Sequence, residues 1–177
     1  WKQTTKSKKF LQMLNKPKQN TRIILGIDPG YDRLGIALIE KTGSKDVLIH
    51  SECLQTSSKD DIYIRLYYVG RKISSILDDF QPTELAIENL FITKNQKTAM
   101  RVSEARGIIL YECKKREIAI NEYTPMEIKS AICGDGTSDK IRIIKMIHML
   151  IKPTKKILLD DEYDAIAVAL THSAIQK

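Results

Sequence analysis

A short β-branched run that stops on an acid does most to narrow what this chain can become. Residues 22–39 read Arg-Ile-Ile-Leu-Gly-Ile-Asp-Pro-Gly-Tyr-Asp-Arg-Leu-Gly-Ile-Ala-Leu-Ile. Ile23 to Ile27 has the length and branching of a buried strand. It ends at Asp28 and turns at Pro29-Gly30. A second apolar run, Leu34 to Ile39, then returns as an antiparallel hairpin partner. A lone carboxylate where a central strand leaves its sheet is held rigidly at the rim. It needs something positive to face: a structural lysine, a metal, or the magnesium of a nucleotide.

The remaining elements follow from periodicity and punctuation. A third strand is predicted at about 46–55. A helix follows, its apolar stripe of Ile62, Leu66, Val69, Ile73, Ile76, Leu77 and Phe80 recurring every three or four residues. Asp78-Asp79 and Pro82 close it. Glu84-Leu85-Ala86-Ile87-Glu88 is a second short buried strand ending on an acid. A right-handed crossover makes it parallel to the first strand, so Asp28 and Glu88 leave the sheet at one edge. After a connection over 89–95, a helix is expected at 96–116, carrying Met100, Val102, Ile108, Ile109 and Leu110. A strand from Ile118 to Tyr123 leads to Thr124-Pro125, an N-cap and first-turn pair for a helix over 125–132. Another helix begins at Ser138, capped there or at Asp139, and runs to Leu150. The last runs from Asp160 to about Ile175. The pattern is α/β, a mixed five-stranded sheet flanked by helices.

The last helix carries Asp161 and Asp164, three apart and on one face of its first turn. Acids there also stabilise the helix dipole by about 0.3–1 kcal/mol each, and taken alone Asp160, Asp161 and Glu162 need no further explanation. Together with Asp28 and Glu88 they do. Four carboxylates at one sheet edge repel one another and raise each other's pKa. Hard cations between them relieve that, and magnesium takes oxygen ligands while keeping several waters. Two such ions about 4 Å apart suit in-line attack on a phosphodiester. His50, His148 and His172 are scattered without metal-site spacing and read as structural or surface residues.

Composition bounds the rest. The chain is 42% hydrophobic and 29% charged, and no apolar stretch approaches the roughly 18 residues that cross a bilayer. Three cysteines, Cys53, Cys113 and Cys133, form no CxxC pair; an odd, unpaired set suits a reducing compartment, and the cytoplasm is the expected setting. Residues 1–27 contain Lys2, Lys6, Lys8, Lys9, Lys16, Lys18 and Arg22 and no acid, which accounts for the whole net charge of +7. Residues 1–21 are read as a basic, flexible arm and 22–177 as one domain. The arm either touches nucleic-acid backbone or is the remnant of a longer or organelle-targeted chain.

Gly-Ile-Asp-Pro-Gly (26–30), Ala-Ile-Glu-Asn-Leu-Phe (86–91), Ala-Arg-Gly (105–107) and Asp-Glu-Tyr-Asp-Ala-Ile-Ala-Val-Ala-Leu-Thr-His (161–172) occur in order. Together they resemble the RuvC-type Holliday junction resolvases, a family with a ribonuclease H-like fold. The resemblance runs from about Arg22 to the C-terminus. It departs at Ala37, where many members carry a second glycine after Gly35, and the basic arm lies outside it. The resemblance implies that Asp28, Glu88, Asp161 and Asp164 bind two magnesium ions per subunit, with manganese able to substitute. Asp160 is a second candidate for the first acid of the C-terminal pair. Phe91 corresponds to an aromatic that members press into the junction centre; its plainer reading is a loop side chain tucked into the core. Lys129 and Lys140 correspond to basic residues near the scissile strand, where they bind phosphate or steady transition-state charge. Without the resemblance both are solvated helix charges. Lys94, Asn95, Arg101 and Arg106 are further candidates for backbone contacts, Arg106 being also a candidate packing residue.

The implied protein is a homodimer, joined partly through the 96–116 helices. It nicks two opposed strands of four-way junction DNA and leaves 5′-phosphate ends, with a branch-migration helicase as a candidate partner. Three rivals remain at this point. Gly-Ile-Asp-Pro-Gly also resembles the phosphate-binding start of actin-like ATPases, which need a second lobe. A non-catalytic binder of branched DNA, and a nuclease for flaps or forks, are the others.

Overall fold

The computed structural model describes residues 21–90, 96–153 and 155–176. Strand β1 (Thr21–Asp28) is central, with β2 (Arg33–Thr42) antiparallel beside it and β3 (Lys45–Gln55) antiparallel beyond. On its other side β4 (Glu84–Glu88) and then β5 (Ala119–Tyr123) run parallel, giving the order β3-β2-β1-β4-β5. The helices are α1 (Ile62–Phe80), α2 (Gln96–Lys115), α3 (Pro125–Cys133), α4 (Lys140–Leu150) and α5 (Asp160–Ile175). This is the mixed five-stranded sheet flanked by helices that the periodicity predicts, with most boundaries displaced by a residue.

Strand residues alternate between faces, and the alternation decides where the acids go. Leu25, Ile27, Leu34, Ile36, Leu38, Leu85 and Ile87 point to the face covered by α1 and α2. Ile24, Ala37, Ile39 and Ala86 point the other way, against α5 with α3 and α4 outside it. Asp28 is in phase with Ile24, and Glu88 with Ala86, so both acids share the α5 face.

Helix α5 lies close on that face because β1 and β2 present small residues to it. A Cβ on Gly26 would sit 2.4 Å from the Ala165 carbonyl oxygen, and one on Gly35 would sit 1.9 Å from that of Asp161. Residues Ala165 to Ser173 are all buried, as expected of a helix between a sheet and other helices. Its far end is pinned by a polar cluster. The His172 ring pairs with Glu84 through Nε2 and with the Tyr123 hydroxyl through Nδ1 at 2.7 Å. Arg22 donates to Glu84 at 2.6 Å and to the Gln176 carbonyl at 2.8 Å. These contacts make His172 structural and hold the Glu84 carboxyl below its usual pKa, the Arg22 hydrogen bond being the largest cause.

Local chemistry explains the helix ends. The Asp61 carboxylate caps α1 by accepting from the Tyr63 and Ile64 N–H groups, and Gln81 in the left-handed region ends it. Thr124 and Glu127 form a full capping box on α3. Helix α4 starts at Lys140 and not at Ser138: Asp139 is the cap, accepting from the Arg142 N–H at 2.8 Å. The α1 stripe differs in one respect from its apolar reading. Arg65 is buried on it, while Ile62, Leu66 and Phe80 are only half-buried.

Candidate metal centre

Three separate elements deliver four carboxylates to one rim. Asp28 and Glu88 stand at the C-terminal ends of neighbouring parallel strands. Asp161 and Asp164 come from the first turn of α5, whose backbone touches β2 at Gly35, the residue paired with Asp28. No side chain caps α5.

The four carboxyls act on one another electrostatically. Burial pushes the Asp28 carboxyl up from 3.8 to about 7, and the charges of Glu88, Asp164 and Asp161 push the same way while Lys140 opposes them. Burial and then Asp164 raise Glu88, against Lys140 and Lys129. Burial also raises Asp164, despite a hydrogen bond from Lys140. Asp160 belongs to the outer rim: it is exposed and pairs with Lys140 at 3.3 Å. Of the two, Asp161 is the one whose charge acts on Asp28.

Two cations stand among these acids. The Lys140 ammonium donates to Asp164 at 2.9 Å, and burial acts against its charge while both flanking carboxylates raise its pKa. Arg33 Nε lies 3.3 Å from Asp161 Oδ2. That oxygen is buried and accepts no hydrogen bond. Among the described residues no three His, Cys, Asp or Glu side chains close on one another as a ready-made ion cage. The donors still fit a hard divalent ion, since all are carboxylate oxygens and one buried oxygen lacks a donor. Magnesium does not require a closed protein cage, because retained waters complete its shell.

Lys129 and Lys140 both act on Glu88, so both face the acids. Arg101 pairs with Glu104 on the outside of α2 at 2.8 Å. Arg106 is turned inward, its side chain 15% exposed and paired with Glu122 at 2.8 Å, which is the packing role. Phe91, Lys94 and Asn95 lie outside the described residues. His50 pairs with Glu52 and His148 with the Tyr163 hydroxyl, and neither bonds to the four acids.

Two neighbours of the site escape a reading of the sequence. Arg33 sits just past a turn with no periodicity to place it. Cys53 pairs with Gly35 across the β2–β3 ladder; burial and then Asp161 raise its thiol to about 11, so it stays protonated.

The family model described as crossover junction endodeoxyribonuclease RuvC matches residues 24–172. The crossover junction endodeoxyribonuclease RuvC of Petrotoga mobilis is 39% identical over 155 residues, covering 88% of this chain and 95% of that protein. The RuvC of Caldicellulosiruptor saccharolyticus is 41% identical over 150 residues, covering 84% and 90%. Among solved structures, T. thermophilus RuvC in complex with a Holliday junction substrate superposes with a TM-score of 0.80 at 27% identity, over 86% of this chain and 93% of that one. The yeast mitochondrial Holliday junction resolvase, 13% identical with a TM-score of 0.65 over 97% of this chain and 84% of that one, shares the fold. The architecture is thus ribonuclease H-like, as the motifs imply.

Proposed function

This chain belongs to the RuvC family of crossover junction endodeoxyribonucleases, and on that premise we propose that it resolves four-way DNA junctions by paired symmetric nicks, using two magnesium ions held among Asp28, Glu88, Asp161 and Asp164. The observation that carries the reading is the meeting of these four acids, from β1, β4 and α5, around a carboxyl whose pKa is raised to about 7. The names of the relatives and the junction bound by the T. thermophilus protein support the substrate.

When bound, the ions would activate the attacking water and stabilise the leaving 3′ oxygen. The chain's own residues do the positioning. Asp28 and Glu88 are fixed by the sheet, and Asp161 and Asp164 by the packing of α5 on Gly26 and Gly35. Lys140, which now bridges Asp164 and Asp160, would be released to phosphate once those acids hold ions, with Lys129 beside it. Arg101, and Phe91, Lys94 and Asn95 in the 91–95 connection, are proposed to meet the DNA around the crossover. Recognition would rest on junction shape and backbone more than on bases.

The test uses synthetic four-way, three-way and linear DNAs with magnesium, with manganese, or with EDTA, read on a denaturing gel. Paired nicks in the four-way substrate that need the divalent ion are expected. Binding without cleavage, or equal cleavage of linear DNA, would reject the reading.

Two opposed nicks call for two active sites, so we propose a homodimer. A groove between α1 and α2 is lined by Tyr63, Leu66, Tyr67, Gly70 and Ile108, and Tyr63 and Tyr67 are 78% and 57% exposed. Apolar aromatic surface of this kind suits a two-fold contact. Tyr67→Glu is expected to give a monomer in sedimentation and to uncouple the two nicks. A dimer that survives the substitution would move the interface elsewhere. A branch-migration helicase is the kind of partner that would present such junctions.

A further inference from the structure

We propose that Arg33 is a phosphate-binding residue of this site: its Nε leans on Asp161 while its terminal N–H groups take a non-bridging oxygen of the DNA strand being cut. The proposal deepens the nuclease reading and rests on it.

The turn that carries Arg33 is held far more firmly than its side chain. The carbonyl of Arg33 folds back on Gly30 so tightly that a Cβ there would lie 2.0 Å from its oxygen. The Thr56 N–H donates to the Asp32 carbonyl at 3.0 Å, and the Thr56 hydroxyl to the Tyr31 carbonyl at 2.6 Å. Arg65, buried in α1, donates from Nε to the Thr56 hydroxyl at 2.9 Å and pairs with the Asp32 carboxylate. Its guanidinium also covers the Tyr31 ring at 4.7 Å. A buried arginine thus straps Tyr31 and Asp32, the two residues before Arg33, to α1 and to the residue that follows β3. Nothing else in the proposed chemistry uses it.

The Arg33 side chain itself is 52% exposed. A guanidinium serving only as the counter-ion of Asp161 would present two parallel N–H bonds to the carboxylate. Here the shortest approach is 3.3 Å, from Nε, no hydrogen bond joins the two side chains, and Asp161 Oδ2 is left without a donor. The two terminal nitrogens donate no hydrogen bond among the described residues. A fork with free donors, fixed at its root beside an acid, matches a phosphate that must approach that acid against its charge.

The experiment compares parental protein, Arg33→Gln and Arg33→Lys. It measures single-turnover junction cleavage at saturating magnesium, junction affinity in calcium, and calcium binding to the DNA-free protein by calorimetry. Arg33→Gln is expected to slow cleavage by roughly 10²-fold, as loss of one transition-state donor does. Junction affinity should stay nearly unchanged, ion binding unchanged or tighter, and Arg33→Lys should recover part of the rate. Cleavage by Arg33→Gln at the parental rate would make Arg33 a counter-ion only and overturn the proposal. A loss of ion binding in step with the rate would also overturn it, since Arg33 would then act by holding Asp161. A parental protein that leaves junctions uncut sinks the nuclease reading and this role with it; one that cuts no faster than Arg33→Gln sinks Arg33 alone.

Discussion

Asp28→Asn is expected to abolish junction cleavage and, in the absence of metal, to make the protein harder to melt. The two effects share one cause. Asp28 is part-buried and faces three other carboxylates, which together with burial raise it from 3.8 to about 7. Between about pH 4 and pH 7 the folded protein therefore keeps a proton there that the unfolded chain has released. The unfolded state binds fewer protons in that window, so stability falls as pH rises through it. At pH 8 the accumulated cost is on the order of 4 kcal/mol. Asparagine removes the charge at nearly constant shape, so the metal-free variant should melt several degrees above the parent at pH 8, at roughly 2–4 °C per kcal/mol for a domain of this size. The advantage should vanish near pH 4, where both proteins are neutral at this position. Added magnesium should raise the melting temperature of the parent and leave the variant unmoved. Cleavage should fall by on the order of 10³-fold, since Lewis-acid stabilisation is worth several kcal/mol and each 1.36 kcal/mol is a factor of ten. Junction binding should persist. A variant that cuts at the parental rate removes Asp28 from the metal site, and one that melts below the parent at pH 8 contradicts the raised pKa.

The parts of this molecule that could be read from its sequence are those with short repeats. Alternation along Ile23–Asp28 and Leu85–Glu88 tells which way each side chain points, so the shared face of Asp28 and Glu88 follows once the strands are parallel. Asp161 and Asp164 follow from helical spacing and from the motif that contains them. Packing, which the sequence does not show, separates Asp160 from Asp161: Gly35 brings the Asp161 backbone against β2, while Asp160 is exposed and meets only the outer side of Lys140. Periodicity alone does not place long basic side chains. Arg106 on α2 reads equally as a DNA contact or a packing residue, and it folds inward onto Glu122. Arg65 breaks an apolar stripe and is buried there against Asp32, Thr56 and the Tyr31 ring. Arg33 meets Asp161 only through the close approach of β2 and α5, a contact made by the absence of a side chain. Local pattern carries no trace of such a contact.

That close approach sets the second large effect. Gly35→Ala is expected to lower stability and cleavage together while sparing the individual acids. The added Cβ would stand 1.9 Å from the Asp161 carbonyl oxygen and 2.7 Å from its carbonyl carbon. Both are backbone atoms, so no rotamer change relieves the clash, and α5 must lift from β2. Overpacking of this kind costs about 1–3 kcal/mol. The displaced turn is the one that carries Asp161 and Asp164, and a shift of about 1 Å in a reacting group costs on the order of 10²-fold in rate. Gly43 is the control, since it lies in the β2–β3 turn with φ +61, and a Cβ added there would meet nothing within 4 Å. Gly43→Ala meets backbone strain of about 1–2 kcal/mol but moves nothing near the acids. It should therefore lose some stability and keep its cleavage rate. Thermal melts of both variants, with single-turnover cleavage at saturating magnesium, separate the two cases. Equal rates in Gly35→Ala and Gly43→Ala would mean that the catalytic acids do not depend on where α5 rests, and that the glycine contact serves the fold alone.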